Sequence, residues 1–304
     1  MQIALAVLLS LAACKGQGKG KASNDTSSSG GTPSSGSTSS SGRTPSSGSA
    51  AKPSFNPCAI KGNELIYLVD TDQNFLSFDP EKLDGDPFHL VGKLECETAG
   101  QPFSMGVAND GIAWVLYNTG RVYRVSIVDA RCVKAGDPDE GPETFGMGFA
   151  SVGATAEKLF VAANDSSKML AQLDTMATPI AWRPIAAITA NQSRSPELTG
   201  TADGKLFGYF PEEGTGGFVQ ELDTKTGAPV GARMPLGIKV GEIEAYAFAH
   251  WGGVFYIFIT AEHVSSAHSI NRKTGKHAVV RERTPFEVVG AGVSTCAPEL
   301  ERAP

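Results

Sequence analysis

The sequence predicts an all-β domain of five repeated sheet units over residues 55–304, and three observations carry that expectation. The stretch consists of short alternating runs rich in Val, Ile, Tyr and Phe, broken by Gly, Asp-Pro and Thr-Gly, with no long segment of helical period. An aromatic-bearing strand returns at a nearly fixed interval: Tyr67, Trp114, Phe160, Phe207 and Phe255 stand 47, 46, 47 and 48 residues apart. A turn-closing residue keeps the same interval, with Asp79, Ser126, Asp174, Asp223 and Asn271 separated by 47, 48, 49 and 48.

Ahead of that domain, Ala4 to Ala13 is a run of small and apolar residues with one Ser, ending in Leu11-Ala12-Ala13-Cys14. On its residues alone the run reads as an export signal or as a buried strand or helix with an incidental Cys. It resembles a bacterial lipobox, in which small residues precede a Cys that receives a diacylglyceryl group and becomes the first residue after cleavage. The resemblance implies that residues 1–13 are a lipoprotein signal peptide and that Cys14 is lipidated, palmitate being the type of chain it would carry. It also implies a place in the bacterial cell envelope, periplasmic or surface-exposed. Lys15 after Cys14, where that family's sorting pattern has Asp for the inner membrane, points to the outer membrane. The n-region departs from the pattern, since Met1-Gln2 carries no Lys or Arg.

Residues 14–54 are the lipidated Cys followed by a chain made almost wholly of Ser, Gly, Thr, Pro and Lys. Without apolar side chains such a chain cannot offset the entropy of ordering, so a disordered linker is expected. Its end-to-end distance would be roughly 35 Å, enough to hold a domain clear of lipid headgroups. Lys15, Lys19, Lys21, Arg43 and Lys52 against Asp25 make the linker +4, and the chain's net charge of −6 therefore leaves −10 on the domain. That balance disfavours nucleic acid, which needs a basic patch. No apolar run approaches the ~18 residues of a membrane-spanning helix.

Within the domain each aromatic strand is followed by a strand that ends in Asp, Ser or Asn, whose side chain can accept from the backbone two residues on and close a tight turn. Ahead of the aromatic strands lie small-residue strands at Ser104–Val107, Gly146–Phe149, Leu198–Thr201, Tyr246–Phe248 and Ala291–Val293. The last has no aromatic strand after it, and the first aromatic strand, at Tyr67, has no small-residue strand before it. A period of ~40–50 residues with four strands per unit is that of a β-propeller, whose innermost strands crowd one axis and favour Gly or Ala. The expected fold is a five-bladed β-propeller closed by the C-terminal strand, which supplies the missing inner strand of the first blade.

Four cysteines remain after Cys14, and they allow three pairings. Cys296 ends the returning strand and Cys58 precedes the strand it should pair with, so Cys58–Cys296 is expected, which leaves Cys96–Cys132 between the outer edges of neighbouring blades. Four free buried thiols is the alternative. No C-x-x-C spacing suggests a metal.

One rim of the ring should collect acidic loops, including Asp70, Asp72, Glu197 and Glu244, which would focus negative potential on a cationic ligand, a basic protein patch or a hard ion. Asp70-Thr71-Asp72-Gln73-Asn74 has the D-x-D-x-N opening of a calcium loop but lacks its Gly and distal Glu, so a plain hairpin turn competes with the reading of Asp70, Asp72 and Asn74 as ion ligands. Calcium is the one cofactor this spacing raises. Glu197 and Glu244 lie three residues ahead of Gly200 and Ala247 and should point near the axis, where two carboxyls can act as acid and base on a glycan. Five-bladed propeller glycosidases exist as a family, though nothing else here resembles their motifs. Trp251, in the His250-Trp251-Gly252-Gly253 hairpin, is a binding platform or a blade cap. His263 and His268 fall in a polar stretch expected to be solvated, and neither H-E-x-x-H nor G-x-S-x-G occurs.

The chain is similar to propeller lipoproteins, a resemblance that carries no activity with it. The expected function is a membrane-anchored envelope lipoprotein that binds a protein, peptide or glycan at an acidic rim. The alternatives are an envelope glycoside hydrolase or lyase using Glu197 and Glu244, and a structural lipoprotein without a small ligand.

Overall fold

The computed structural model describes residues 56–97, 99–153 and 156–300; the signal run, Cys14 and the linker lie outside them. The described residues form a five-bladed β-propeller of twenty strands in five four-stranded sheets. The first blade contains β1 (Ile66–Asp70), β2 (Asn74–Phe78) and β3 (Phe88–Lys93). The second is β4 (Pro102–Val107), β5 (Ile112–Tyr117), β6 (Val122–Ser126) and β7 (Cys132–Gly136). The third is β8 (Phe145–Ser151), β9 (Glu157–Ala163), β10 (Met169–Asp174) and β11 (Ala181–Ala187). The fourth is β12 (Glu197–Gly200), β13 (Leu206–Phe210), β14 (Phe218–Leu222) and β15 (Pro229–Pro235). The fifth is β16 (Ile243–Trp251), β17 (Val254–Ala261), β18 (Val264–Asn271) and β19 (His277–Arg281), after which β20 (Val288–Val293) returns to the first sheet.

The closure is antiparallel, with Ile66, Tyr67, Leu68 and Val69 opposite Val293, Gly292, Ala291 and Gly290. Small inner residues face aromatic second-strand residues: Gly292 faces Tyr67, Gly106 faces Trp114 and Gly148 faces Phe160. The reason is crowding at the axis. A Cβ on Gly292 would lie 3.0 Å from Gly106 Cα, and one on Gly148 would lie 2.8 Å from the Leu198 carbonyl oxygen. Inner strands therefore touch backbone to backbone, which no side chain larger than hydrogen permits at these points.

The turn-closing residues behave alike in all five blades. Asp79, Ser126, Asp174, Asp223 and Asn271 each accept from the backbone N–H two residues on, at 3.0, 3.2, 3.2, 2.9 and 3.1 Å. They are structural, as the repeat predicts.

Five buried apolar clusters fill the spaces between adjacent blades, and this is why β1, β5, β9, β13 and β17 are buried along almost their whole length. Each second strand has a blade face on either side, so its residues read as continuous apolar runs rather than alternating ones. In every blade the register shifts between the third and fourth strands, at Phe75/Leu76, Val122/Tyr123, Leu170/Ala171, Val219/Glu221 and Ala267/His268. Such bulges twist an exposed edge away from pairing with another chain.

Both disulfides pair as expected, with Cα–Cα distances of 5.2 Å for Cys58–Cys296 and 5.3 Å for Cys96–Cys132. The first pins the C-terminal strand to the segment before β1; the second joins the outer edges of the first two blades. One expectation fails. His268 is not in a solvated loop but buried in β18, its Nδ1 3.1 Å from His277 Nε2 and its Nε2 2.9 Å from Ser266 Oγ. Burial and the neighbouring His277 hold its pKa down to about 4, so it is neutral at pH 7.

Candidate functional site

The inner strands all begin at one face of the ring, and a cavity of about 490 Å³ opens there on the axis. Every blade lines it: Val289 from the first, Phe103 from the second, the loop after β9 from the third, Gln192 to Glu197 from the fourth, and Glu244 to Tyr246 from the fifth. A concave site with apolar walls and a few convergent polar groups is the usual form of a ligand pocket.

Glu197 forms the floor. It starts β12, points inward by the alternation of the strand, and is 3% exposed. Its Oε2 accepts a 2.8 Å hydrogen bond from Ser104 Oγ in β4, so the contact spans the axis from the fourth blade to the second. Burial pushes its carboxyl well above the usual carboxylate range, against the opposing pull of Ser104 and of the Met147 backbone N–H. Tyr246 stands beside it and donates to the Ser195 carbonyl at 2.8 Å; burial, reinforced by Glu197, raises the phenol's pKa.

Arg194 is the residue that sequence reasoning missed. It lies in the loop before β12, with its guanidinium 5.1 Å over the Tyr246 ring and one Nη donating to the Ile243 carbonyl. It takes part in none of the ion pairs among the described residues. Lys168 donates to the Gln192 carbonyl at 3.1 Å, and Ser195 Oγ braces the same loop on the Ala162 and Ala163 carbonyls. The Gln192 amide is buried in the cavity wall, and neither its oxygen nor its nitrogen has a hydrogen-bond partner among the described residues.

Glu244 sits at the mouth rather than the floor. Its two oxygens take the backbone N–H and the ring Nδ1 of His263, each at 3.2 Å, and so steady the Glu262-His263 turn, where both residues have positive φ as a two-residue hairpin loop requires. The structure thus brings Glu197 and Glu244 to one cavity but in different surroundings, one buried and bonded to a hydroxyl, the other exposed beside an imidazole. Asp165, also at the mouth, accepts from the backbone and hydroxyl of Ser167.

The other predicted residues do not line the cavity, although the Asp70–Asn74 turn lies on the same face, with Asp70 opposite Val288. Asp70 is buried and both its oxygens are used locally, accepting from Asn74 N at 2.7 Å and Asn74 Nδ2 at 2.5 Å. Gln73 supplies the positive φ, so the D-x-D-x-N run folds as a hairpin turn, with Asp72 offering its backbone carbonyl to Lys93. Among the described residues no three His, Cys, Asp or Glu side chains gather closely enough to hold a metal. Trp251 ends the nine-residue strand that Glu244 helps to begin, so it belongs to the opposite face. There it is packed among the first and fifth blades with its indole N–H donating to the Glu64 carbonyl at 2.7 Å, which is the cap of the two expected roles.

These features define a class: a disulfide-closed five-bladed propeller with a single-ended axial cavity. No protein-family model matches the chain, and no curated protein matches it in sequence. Solved structures similar to it in fold include a chain of the nidogen/laminin complex, at 9% identity, covering 75% of this chain and 97% of that one, with a TM-score of 0.47. TolB from Acinetobacter baumannii is similar at 11% identity and a TM-score of 0.43, over 73% of this chain and 53% of TolB, so this chain spans about half of that protein. YCF48 bound to D1 peptide is similar at 13% identity and a TM-score of 0.36, over 71% and 63%. These likenesses concern the fold.

Proposed function

We propose that the chain is an envelope lipoprotein, held to the membrane by a diacylglyceryl group on Cys14 and extended by its Ser/Gly linker, whose propeller binds a protein, peptide or glycan at the axial mouth. The observation that supports this reading is the convergence of all five blades on one cavity with apolar walls, a cation and a buried amide that are unpaired among the described residues. Asp165 and Glu244 supply the acidic rim around it. Lys15 after Cys14 supports placement in the outer membrane.

Two measurements test the proposal. Metabolic labelling with an alkyne fatty acid should tag the wild-type chain and not Cys14→Ser; equal labelling refutes the anchor. Capture from detergent-solubilised envelope should recover a partner with the full chain that Ser193→Trp, whose indole would fill the cavity from its exposed edge, does not recover; equal recovery refutes the mouth.

A second reading rests on the raised pKa of Glu197, which suits a general acid opposite Glu244 in glycan cleavage. It requires turnover of a glycan that Glu197→Gln abolishes.

A further inference from the structure

We propose that the axial cavity takes the free C-terminal end of a peptide, with the terminal carboxylate against the Arg194 guanidinium and the last peptide unit against the Gln192 amide. This rests on the reading of the mouth as a binding site and names the ligand that the site fits.

Three features of the cavity lead there. The first is a closed floor. The Ser104–Glu197 hydrogen bond crosses the axis beneath the cavity, and below it the inner strands touch through Gly148, Gly292 and their neighbours. A chain cannot thread the ring, so it enters by an end. The second is charge. Arg194 is pre-oriented by Tyr246 and by the Ile243 carbonyl, yet pairs with no carboxylate among the described residues; Lys168 stands nearby. A guanidinium held in this way matches the two oxygens of a carboxylate. The mouth acids are engaged with Ser167 and His263 rather than with Arg194, which leaves the guanidinium's outer edge to a ligand. At the floor, the Glu197 Oε2 is already taken by Ser104 Oγ, and burial pushes that carboxyl above the usual carboxylate range.

The third feature is Gln192. The residue is 9% exposed, and both amide atoms lack partners among the described residues. Both atoms lie just beneath the cavity surface, so a turn of the side chain presents them, and a peptide unit with its own carbonyl and N–H relieves the cost of leaving them unsatisfied. Phe103, Pro102 and Val289 give apolar wall to the adjoining side chain. A sugar of similar size would set hydroxyls against those walls without partners.

The test is fluorescence anisotropy on the purified full chain with N-terminally fluorescein-labelled tetrapeptide pools, each made as free acid and as C-terminal amide. Free-acid pools should bind, and amidation should weaken binding by at least about tenfold, the usual loss for one charge-assisted contact. Arg194→Gln should lose a similar factor, Arg194→Lys should recover part of it, and Gln192→Leu should weaken acid and amide alike; thermal melts of each variant establish that it is folded. If acid and amide pools bind equally and Ser193→Trp abolishes both, the carboxylate proposal fails while the mouth stands. If binding survives both Ser193→Trp and Arg194→Gln, both readings fail. If no pool binds, the proposal is overturned, and binding of an N-acetylated acidic sugar in its place would assign the cavity to glycans.

Discussion

The Cys58–Cys296 bridge closes a loop of 238 residues, whereas Cys96–Cys132 closes 36, and this difference yields a prediction that does not depend on absolute energies. In the loop-entropy account a cross-link stabilises by restricting the unfolded chain, by ~5–6 kcal/mol for the long loop and ~4 kcal/mol for the short one. The difference, ~1.5–2 kcal/mol, depends only on the ratio of loop lengths. Each bridge should be removed as a pair, Cys58→Ala with Cys296→Ala and Cys96→Ala with Cys132→Ala, so that no free thiol remains. The inner strand β20 would still pair with β1 and pack in the first-blade core, so both variants should fold. At ~2–4 °C per kcal/mol for a domain of this size, the long-loop variant should melt about 10–20 °C below wild type and a few degrees below the short-loop variant. Calorimetry without reductant measures this. Equal losses, or a larger loss from the short loop, would mean that the seam is not where the chain's ends are held.

Other consequences follow from single side chains. Gly292→Val should cost ~1–3 kcal/mol in urea unfolding because its Cβ meets the Gly106 backbone at 3.0 Å, while Gly153→Ala, with nothing within 4 Å, should stay within about 0.5 kcal/mol of wild type. His250 is held to a pKa of about 3, by burial first and by Arg272 next, so the unfolded chain binds the proton more readily than the native state. Its contribution is intact above pH ~6.5 and is lost as pH falls toward 3, by up to ~5 kcal/mol; His250→Gln should flatten the stability profile across that window, and an unchanged slope would refute the assignment. Glu197 has the opposite sign. Its folded pKa is raised, so wild-type stability is lost as pH rises above the unfolded value; Glu197→Gln should gain on wild type as pH rises above the ordinary carboxylate range in paired melts, and a constant difference would contradict the buried-acid account.

The fold was legible because each blade repeats two local signals, an aromatic central strand and a side chain that closes the next turn, and local signals survive without tertiary context. The orphan strand at Ala291–Val293 and the incomplete unit at Tyr67 revealed the closure for the same reason. The site was only partly legible. Glu197 and Glu244 are placed at the axis by strand alternation, but alternation cannot distinguish the floor from the mouth, which depends on where Ser104 and His263 arrive from other blades. Arg194 lies in a connecting loop with no periodic neighbour; its position beside Tyr246 is purely tertiary. Trp251 could have been set apart from Glu244 on the sequence alone, since seven residues of extended strand carry it ~23 Å away. His268 was misplaced because β18 opens on Val264-Ser265-Ser266, too polar to read as a strand, and its partner His277 comes from the next strand.

Site-specific photo-crosslinking in the intact envelope tests the central claim most directly. A benzoylphenylalanine at Ser193, exposed on the cavity edge, should give one adduct of defined mass, and the same group at Val133, 57% exposed on the outer strand β7, should give none. Adducts from Val133 with none from Ser193 would move the binding surface to the circumference of the ring and contradict the account.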